Sequence, residues 1–481
     1  MAFGRTTTYM PRLYLLAPLL LALSLTSGAA AQQTRPNVLF IAVDDLNHWV
    51  GYLGRNAQTA TPNIDRLAKR GVRFTHAYCA APSCTPSRAA LMSGLRPNTT
   101  GIYDNKDNAW SNAIPVERCI PAQFRAGGYL TMAAGKIYHG GPGRPGEYDL
   151  MREYDDGPDF NPGVARKPTG QPGVGGIRFG PMDVEDKDLQ DYRTADWVIE
   201  QLGKTHDKPF FLGCGLYKPH MPWYVPKKWF DKFPLDSIQL PPSPPDDLSD
   251  VPPAGVKMAK PDADHARMLE SGRWKEAVQG YLAAIAYTDM NLGRVLDALD
   301  KSPHKDNTII VFWGDHGWHL GEKQHWRKFA LWEEATRMPH IWVAPGVTKP
   351  DAVCTRPVDL MSVYPTLMEL CGLPTPTHVE GKSILPLLKD PAMKWDTPAL
   401  STFLNNNHAV RTEQWRYIRY AGGGEELYDE SADPLEHTNL ASKPEHAALK
   451  QELAKWMPMK NAPDLGSRKG GGKSNAAEAA E

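Results

Sequence analysis

Asn37-Val38-Leu39-Phe40-Ile41-Ala42-Val43-Asp44-Asp45 is an apolar, β-branched run bounded by Pro36 and closed by two adjacent acids. A run without polar alternation describes a strand covered on both faces, as in parallel sheets flanked by helices. Its C-terminal end then presents Asp44 and Asp45 where open α/β sheets hold their ligands. Two adjacent acids also suit a solvated turn or a helix cap, and the run alone does not choose.

The same pattern recurs outward from this segment. Tyr129 to Ala134, Pro209 to Leu216 and Thr308 to Trp313 are apolar runs that end in Lys136 and His139, in Lys218 and His220, and in Asp315 and His316. Helical periods lie between them: Ile120 to Ala126, stopped by Gly127-Gly128, then Asp188 to Gly203, Trp274 to Asp300 and Pro357 to Leu370. The long one places Tyr281, Ile285, Leu292, Leu296 and Leu299 on one face. This predicts an α/β fold, a large mixed, mostly parallel sheet sandwiched by helices. From about residue 396 the period changes, and Ala409 to Tyr420 alternates like a hairpin. A small C-terminal antiparallel-sheet subdomain is expected there, followed by a helix over 443–458. Residues 140–187 and 234–262, rich in Gly, Pro and charge, read as long surface excursions without period.

Net charge is −1 in 481 residues, which removes the usual electrostatic argument for nucleic acid or an anionic membrane surface. Residues 1–31 read as a secretory signal, with Arg5 and Arg12 before the apolar Leu13 to Leu25 and with Ala29-Ala30-Ala31 as the cleavage site. The expected location is secreted or periplasmic, or lysosomal in a eukaryote; the alternative is an uncleaved N-terminal anchor. No later segment is apolar enough to cross a bilayer. The six cysteines lack the dense spacing of a disulfide framework, and Cys214 and Cys371 sit in apolar surroundings that suit buried thiols.

Cys84-Thr85-Pro86-Ser87-Arg88 reads as a turn into a helix, with Ser83 or Thr85 as N-cap and Pro86 in the first turn. A helix N-terminus favours an anion. The pentapeptide resembles the sulfatase activation motif C-x-P-S-R. Met92-Ser93-Gly94-Leu95-Arg96-Pro97 is similar to that family's continuation, with serine for threonine and one leucine inserted. Thr61 to Ala68 with Gly71-Val72-Arg73-Phe74, and Gly314-Asp315-His316-Gly317-Trp318-His319-Leu320-Gly321-Glu322, match two more sulfatase patterns. Glu426-Leu427-Tyr428-Asp429 with Asp433-Pro434, Glu436 and Asn439-Leu440 matches the C-terminal one. The chain is therefore identified as a type I, formylglycine-dependent sulfatase of the alkaline phosphatase superfamily. His316, the Ile102-Tyr103-Asp104-Asn105 segment and Lys328 place it nearest the iduronate-2-sulfatase branch.

The resemblance implies an alkaline phosphatase-like fold, with 32–390 as catalytic domain, 391–463 as C-terminal subdomain and 464–481 as a disordered tail. It implies that Cys84 is oxidised to formylglycine by a formylglycine-generating enzyme, and that Asp44, Asp45, Cys84, Asp315 and His316 hold one divalent metal ion, Ca2+ by family habit. Three acids together make sense only with a cation. Arg88, Lys136, His139, His220 and Lys328 are the remaining catalytic residues by resemblance. The lysines meet sulfate oxygens, His220 protonates the leaving alcohol and His139 serves the formylglycine hydroxyl. The implied substrate is a sulfated carbohydrate, a 2-O-sulfated uronic acid attacked from the chain end, with Asp104, Trp318, His319, His325 and Arg327 as candidate substrate contacts. No nucleic acid partner and no membrane segment after signal removal are expected. The alternatives are a sulfatase for another polysaccharide, a phosphomonoester or phosphonate ester hydrolase of the same superfamily, or a glycan-binding protein in which Cys84 stays unmodified.

Overall fold

The strand Asn37–Val43 (β1) has every residue buried, and its alternate side chains feed two different cores. Leu39, Ile41 and Val43 pack with Tyr281, Leu282 and Ile285 of the helix Trp274–Lys301, on one face. Val38, Phe40 and Ala42 pack on the other with Leu91 and Met92 of the helix Cys84–Ser93 and with Val363 and Leu367 of Val363–Leu370. A strand apolar on both sides thus becomes the middle layer of a three-layer sandwich.

The computed structural model describes residues 1–10, 35–105, 110–152 and 168–467. The chain divides into two units, residues 1–34 and 35–481. In the first, residues 1–10 carry neither helix nor strand. The expected signal run Leu13 to Leu25 and its Ala29-Ala30-Ala31 site lie outside the described residues.

The main sheet of the second unit adds Val72–Phe74 (β2), Leu130–Gly135 (β3), Leu150–Arg152 (β4), Phe210–Leu216 (β5), Thr308–Gly314 (β6), His340–Val343 (β7) and Ala352–Cys354 (β8). Its order is β8-β2-β7-β6-β1-β5-β3-β4. β1 runs parallel to β5 and β6, and β3 parallel to β5 and β4, while β7 is antiparallel to β6 and β2. The sheet is mixed and mostly parallel, as expected. Register sets the site: Val43 pairs with both Leu216 and Gly314, and Gly135 with Gly215, so the residues that follow leave the sheet at one edge. Gly135 is required there. It has φ +74, and a Cβ on it would lie 1.9 Å from the Gly215 carbonyl oxygen.

Ala399–Thr402 (β9), His408–Arg411 (β10), Trp415–Arg419 (β11) and Glu425–Asp429 (β12) form the antiparallel C-terminal sheet. It packs Ala409, Ile418 and Tyr428 against Leu331 and Trp332, and so touches the segment that carries Lys328.

Four expectations need correction. The excursion 140–187 holds β4 and the strand Phe179–Met182; β4 is a partly exposed edge, and Gly180-Pro181 hides the second strand's period. Within that excursion, 153–167 lie outside the described residues. The excursion 234–262 contains the helix Pro253–Ala259. The helix expected from Pro357 starts at Val363, after the strand Val358–Asp359 and a turn in which the Asp359 side chain accepts from Met361 N. Residues 464–467, expected in a disordered tail, are held: Leu465 N donates to Gly101 O at 3.0 Å. Residues 468–481 lie outside the described residues.

All six cysteines are unpaired and buried. Among the described residues no helix is long and apolar enough to cross a membrane.

Candidate active site

Asp44 and Asp45 follow β1 and are fully buried. In continuing strand geometry their carboxylates would diverge, but Asp45 turns to φ +54 and the two converge. The turn is fastened by Asp45 N donating to Asp315 Oδ1 at 3.0 Å and by Tyr281 OH donating to Asp45 O at 2.7 Å. Asp315 and His316 follow β6 in the same way.

Cys84 begins the helix Cys84–Ser93 and points into this group. Its Sγ lies 3.5 Å from Asp44 Oδ1, 3.3 Å from His316 Nε2 and 3.0 Å from Lys328 Nζ. One turn on, Arg88 is fully buried and ties the acids to the sheet edge. Its Nε donates to Asp315 Oδ2 at 2.9 Å, its Nη2 to Asp44 Oδ1 at 3.2 Å and its Nη1 to the carbonyls of Lys136 and Ile137. Lys136 Nζ is 2.5 Å from Asp44 Oδ2, and Lys328 Nζ is 2.9 Å from Asp45 Oδ1. His220 Nε2 is 3.8 Å from Asp45 Oδ2, while its Nδ1 faces Met221 O at 2.6 Å. His139 is half-buried and stands near enough to the Cys84 thiol to help hold its pKa down.

The residues present suit a divalent cation. Asp44, Cys84, Asp315 and His316 offer ligand atoms within 4.8 Å of one another, and so do Asp44, Asp45, Cys84 and His220. Asp45 Oδ2 is buried and accepts no hydrogen bond. With Nδ1 donating to Gly317 O at 3.0 Å, His316 turns Nε2 toward Asp45 and Asp315, the nitrogen a cation would take as ligand in place of its proton. Burial raises Asp45 above the ordinary carboxylate range even with His220 and Lys328 beside it, so a further positive charge is wanted there. Burial also pushes the Cys84 thiol up, but Lys328, Lys136 and His316 outweigh it and hold the thiol well below its ordinary value.

Residues 36–373 match the family model described as Sulfatase, and residues 321–462 match the one described as N-sulphoglucosamine sulphohydrolase, C-terminal. The chain belongs to the sulfatase family. A protein named Sulfatase from Formosa agariphila is 42% identical over 449 residues, covering 89% of this chain and 87% of its own length. Iduronate 2-sulfatase of Homo sapiens is 29% identical over 515 residues, covering 87% and 93%. In fold, the phosphonate monoester hydrolase of Agrobacterium radiobacter superposes with a TM-score of 0.75 at 22% identity, covering 88% and 94%. Sulfatases generally depend on formylglycine and a metal ion, and this one is a sulfuric ester hydrolase of the alkaline phosphatase superfamily.

The expected sugar contacts of this sulfatase lie in different settings. Trp318 is buried, with Lys328 Nζ over its ring at 5.6 Å. Asp104 is half-buried. His319 is fully buried with its ring against His325, whose two nitrogens face the Ala259 and Lys328 carbonyls. The antiparallel ribbon that pairs His319 with Arg327 sets both histidines behind the segment that carries Lys328, and His325 holds that segment through the Lys328 carbonyl. Arg327 differs. Its Nε donates to Asp264 Oδ2 at 2.8 Å, and its buried Nη1 has no hydrogen-bond partner.

Three supporting residues escaped the sequence reading. Tyr281 is expected only on the apolar face of the long helix, Asp191 only within the helical period 188–203, and Asn105 only as a member of the 102–105 family segment. Yet Asp191 accepts from Tyr217 N and Lys218 N, fixing the His220 turn, and Asn105 Oδ1 accepts from Thr85 N at 2.9 Å. A side chain that serves another segment's backbone leaves no periodic signal.

Proposed function

We propose that the protein is an exported sulfatase acting on sulfated carbohydrates, with 2-O-sulfated uronic acid at a chain end as its substrate. Residues 32–390 form its catalytic domain and 391–463 its C-terminal subdomain. The observation that carries this reading is the convergence of Cys84 Sγ with Asp44, His316 and Lys328 in one buried cluster.

Converted to formylglycine, Cys84 would supply a hydrated aldehyde, one hydroxyl to attack sulfur and a second whose deprotonation would re-form the aldehyde C=O and break the bond from carbon to the sulfated oxygen, releasing sulfate. Asp44, Asp45, Asp315 and His316 would hold a divalent cation, calcium on the oxygen-rich donor set, which would lower the cost of negative charge at the nucleophile. Cys84 is fully buried, which supports modification by a formylglycine-generating enzyme before the chain folds.

The chain's own groups do the rest. Arg88 balances Asp44 and Asp315 and fixes their direction. Lys136 and Lys328 flank the nucleophile and bind sulfate oxygens, and both are preorganised by Asp44 and Asp45. His220, oriented by Met221 O, delivers a proton to the leaving alcohol, while His139 takes one at the Cys84 side chain. The unpartnered Arg327 Nη1 suits a carboxylate on the sugar, which supports an acidic substrate, as does the likeness to iduronate 2-sulfatase.

The test is to produce the protein with a formylglycine-generating enzyme and compare 2-O-sulfated uronate disaccharides, 6-O-sulfated hexosamines, an aryl sulfate and an aryl phosphate. Fastest cleavage of the uronate is expected. Cleavage of neutral 6-O-sulfated sugars alone would overturn the substrate, and preference for the phosphate would overturn sulfate-ester specificity.

A further inference from the structure

The helix that begins at Cys84 is capped from outside itself. Ser83 is its N-cap by backbone angle, Cys84 its first residue and Pro86 its third. An N-cap hydroxyl ordinarily accepts from the second or third N–H, but Pro86 has none, and Ser83 Oγ makes no cap bond. Instead Ser83 Oγ donates to Asn105 Oδ1 at 2.7 Å, and Thr85 N donates to the same oxygen at 2.9 Å. One amide oxygen therefore grips both neighbours of the nucleophile. Asn105 is held in turn. Its segment is strapped by the C-terminal residues 460–465, through Ala462 N to Asn98 O at 2.7 Å, Leu465 N to Gly101 O at 3.0 Å and Tyr103 OH to Ala462 O at 2.9 Å.

We infer that Asn105 is a positioning residue for Cys84: its Oδ1 fixes the Ser83–Thr85 turn, and with it the place of the Cys84 side chain between Lys328, His316 and Asp44. A cap made by Ser83 itself would need its hydroxyl to turn back onto Thr85 N. The turn would then lose its tether to the 98–105 segment, and the nucleophile would gain freedom without the helix unravelling. The kinetic part of this inference rests on the sulfatase reading; the structural part does not.

Both parts are tested on the full chain with Asn105→Ala and Asn105→Asp, the second of which keeps the accepting oxygen. In protein made without the formylglycine-generating enzyme, Cys84 is a thiol and its alkylation by iodoacetamide is followed by peptide mass, with buried Cys214 as internal reference. Asn105→Ala is expected to speed alkylation of Cys84 about tenfold and leave Cys214 unchanged, while Asn105→Asp stays at the parent rate. In converted protein, kcat on an aryl sulfate, normalised to formylglycine content, is expected to fall about tenfold in Asn105→Ala with KM within about twofold, and to recover in Asn105→Asp. Parent-like alkylation in Asn105→Ala, or equal acceleration at Cys84 and Cys214, overturns the inference. Selective alkylation in a parent that hydrolyses no sulfate ester would leave the positioning role standing and overturn the proposed function instead.

Discussion

Arg416→Met should damage both stability and turnover, although the residue lies outside the main sheet. Arg416 is buried in β11. It lies 3.1 Å from Glu430 and 2.6 Å from Glu436, pairs with Glu333, and donates to Leu331 O at 3.0 Å. Methionine fills the space but leaves Glu436 without its arginine and Glu333 and Glu430 to longer contacts, Arg411 at 3.5 Å from each and Arg337 at 3.3 Å from Glu333. Removing one partner of a buried ionic network costs about 3–5 kcal/mol. With unfolding entropy near 2.1 cal/mol/K per residue, a unit of this size loses about 1 °C per kcal/mol, so Tm should fall by about 3–5 °C. Because Leu331 and Glu333 lie just beyond Lys328, kcat on an aryl sulfate should also fall several-fold. Calorimetry and steady-state kinetics at equal formylglycine content measure both, with Arg416→Lys intermediate because it keeps charge but loses the fork. An Arg416→Met protein with unchanged Tm and kcat would refute the claim that the C-terminal sheet braces the Lys328 segment.

Chelation should abolish activity and lower Tm, since Asp44, Asp45 and Asp315 then repel across one buried site; calcium restores both, and an apo protein with full activity would count against the cation site. Acid should destabilise the fold through His340, whose Nε2 accepts from Trp342 Nε1 at 2.7 Å and whose Nδ1 faces Phe312 O. Burial lowers its pKa from 6.5 to about 4, so the neutral ring's contribution is complete above pH 6.5 and is lost as pH falls toward 4, roughly 3 kcal/mol in all. His340→Gln should flatten the dependence of Tm on pH in that window. Cys84→Ala should be inactive and Cys84→Ser should release about one equivalent of phenol from an aryl sulfate and then stop, since an ordinary sulfate ester has no second hydroxyl to expel it; quenched-flow product counting distinguishes this from turnover.

The central strands were readable because burial on both faces leaves continuous apolar runs: β1 spans Asn37–Val43 as expected, and Trp274–Lys301 ends one residue beyond its predicted limit. The polar residues after each run were legible as a group because parallel register brings strand ends to one edge. The antiparallel β7 was not, since His340-Ile341-Trp342-Val343 is short and its pairing with β2 and β6 depends on residues far away in sequence. Within the site, residues that point inward carried family patterns; Asn105 lay inside one, the 102–105 segment, but its role as acceptor for Thr85 N was not legible, and Asp191, which serves the backbone N–H groups of Tyr217 and Lys218, lay in none. His319 and His325 were expected, with Arg327, as cations for an acidic sugar; the edge-on contact of the two rings and the hold of His325 on the Lys328 carbonyl depend on the ribbon between His319 and Arg327, which the sequence does not announce.

The state of Cys84 decides whether this protein hydrolyses sulfate esters. Preparations with graded exposure to a formylglycine-generating enzyme give a series in which the mass of the Cys84 peptide reports the aldehyde fraction. Sulfate-ester hydrolysis should rise in proportion to that fraction and extrapolate to zero when Cys84 is wholly thiol. Full turnover by protein in which every Cys84 remains a thiol would contradict the account.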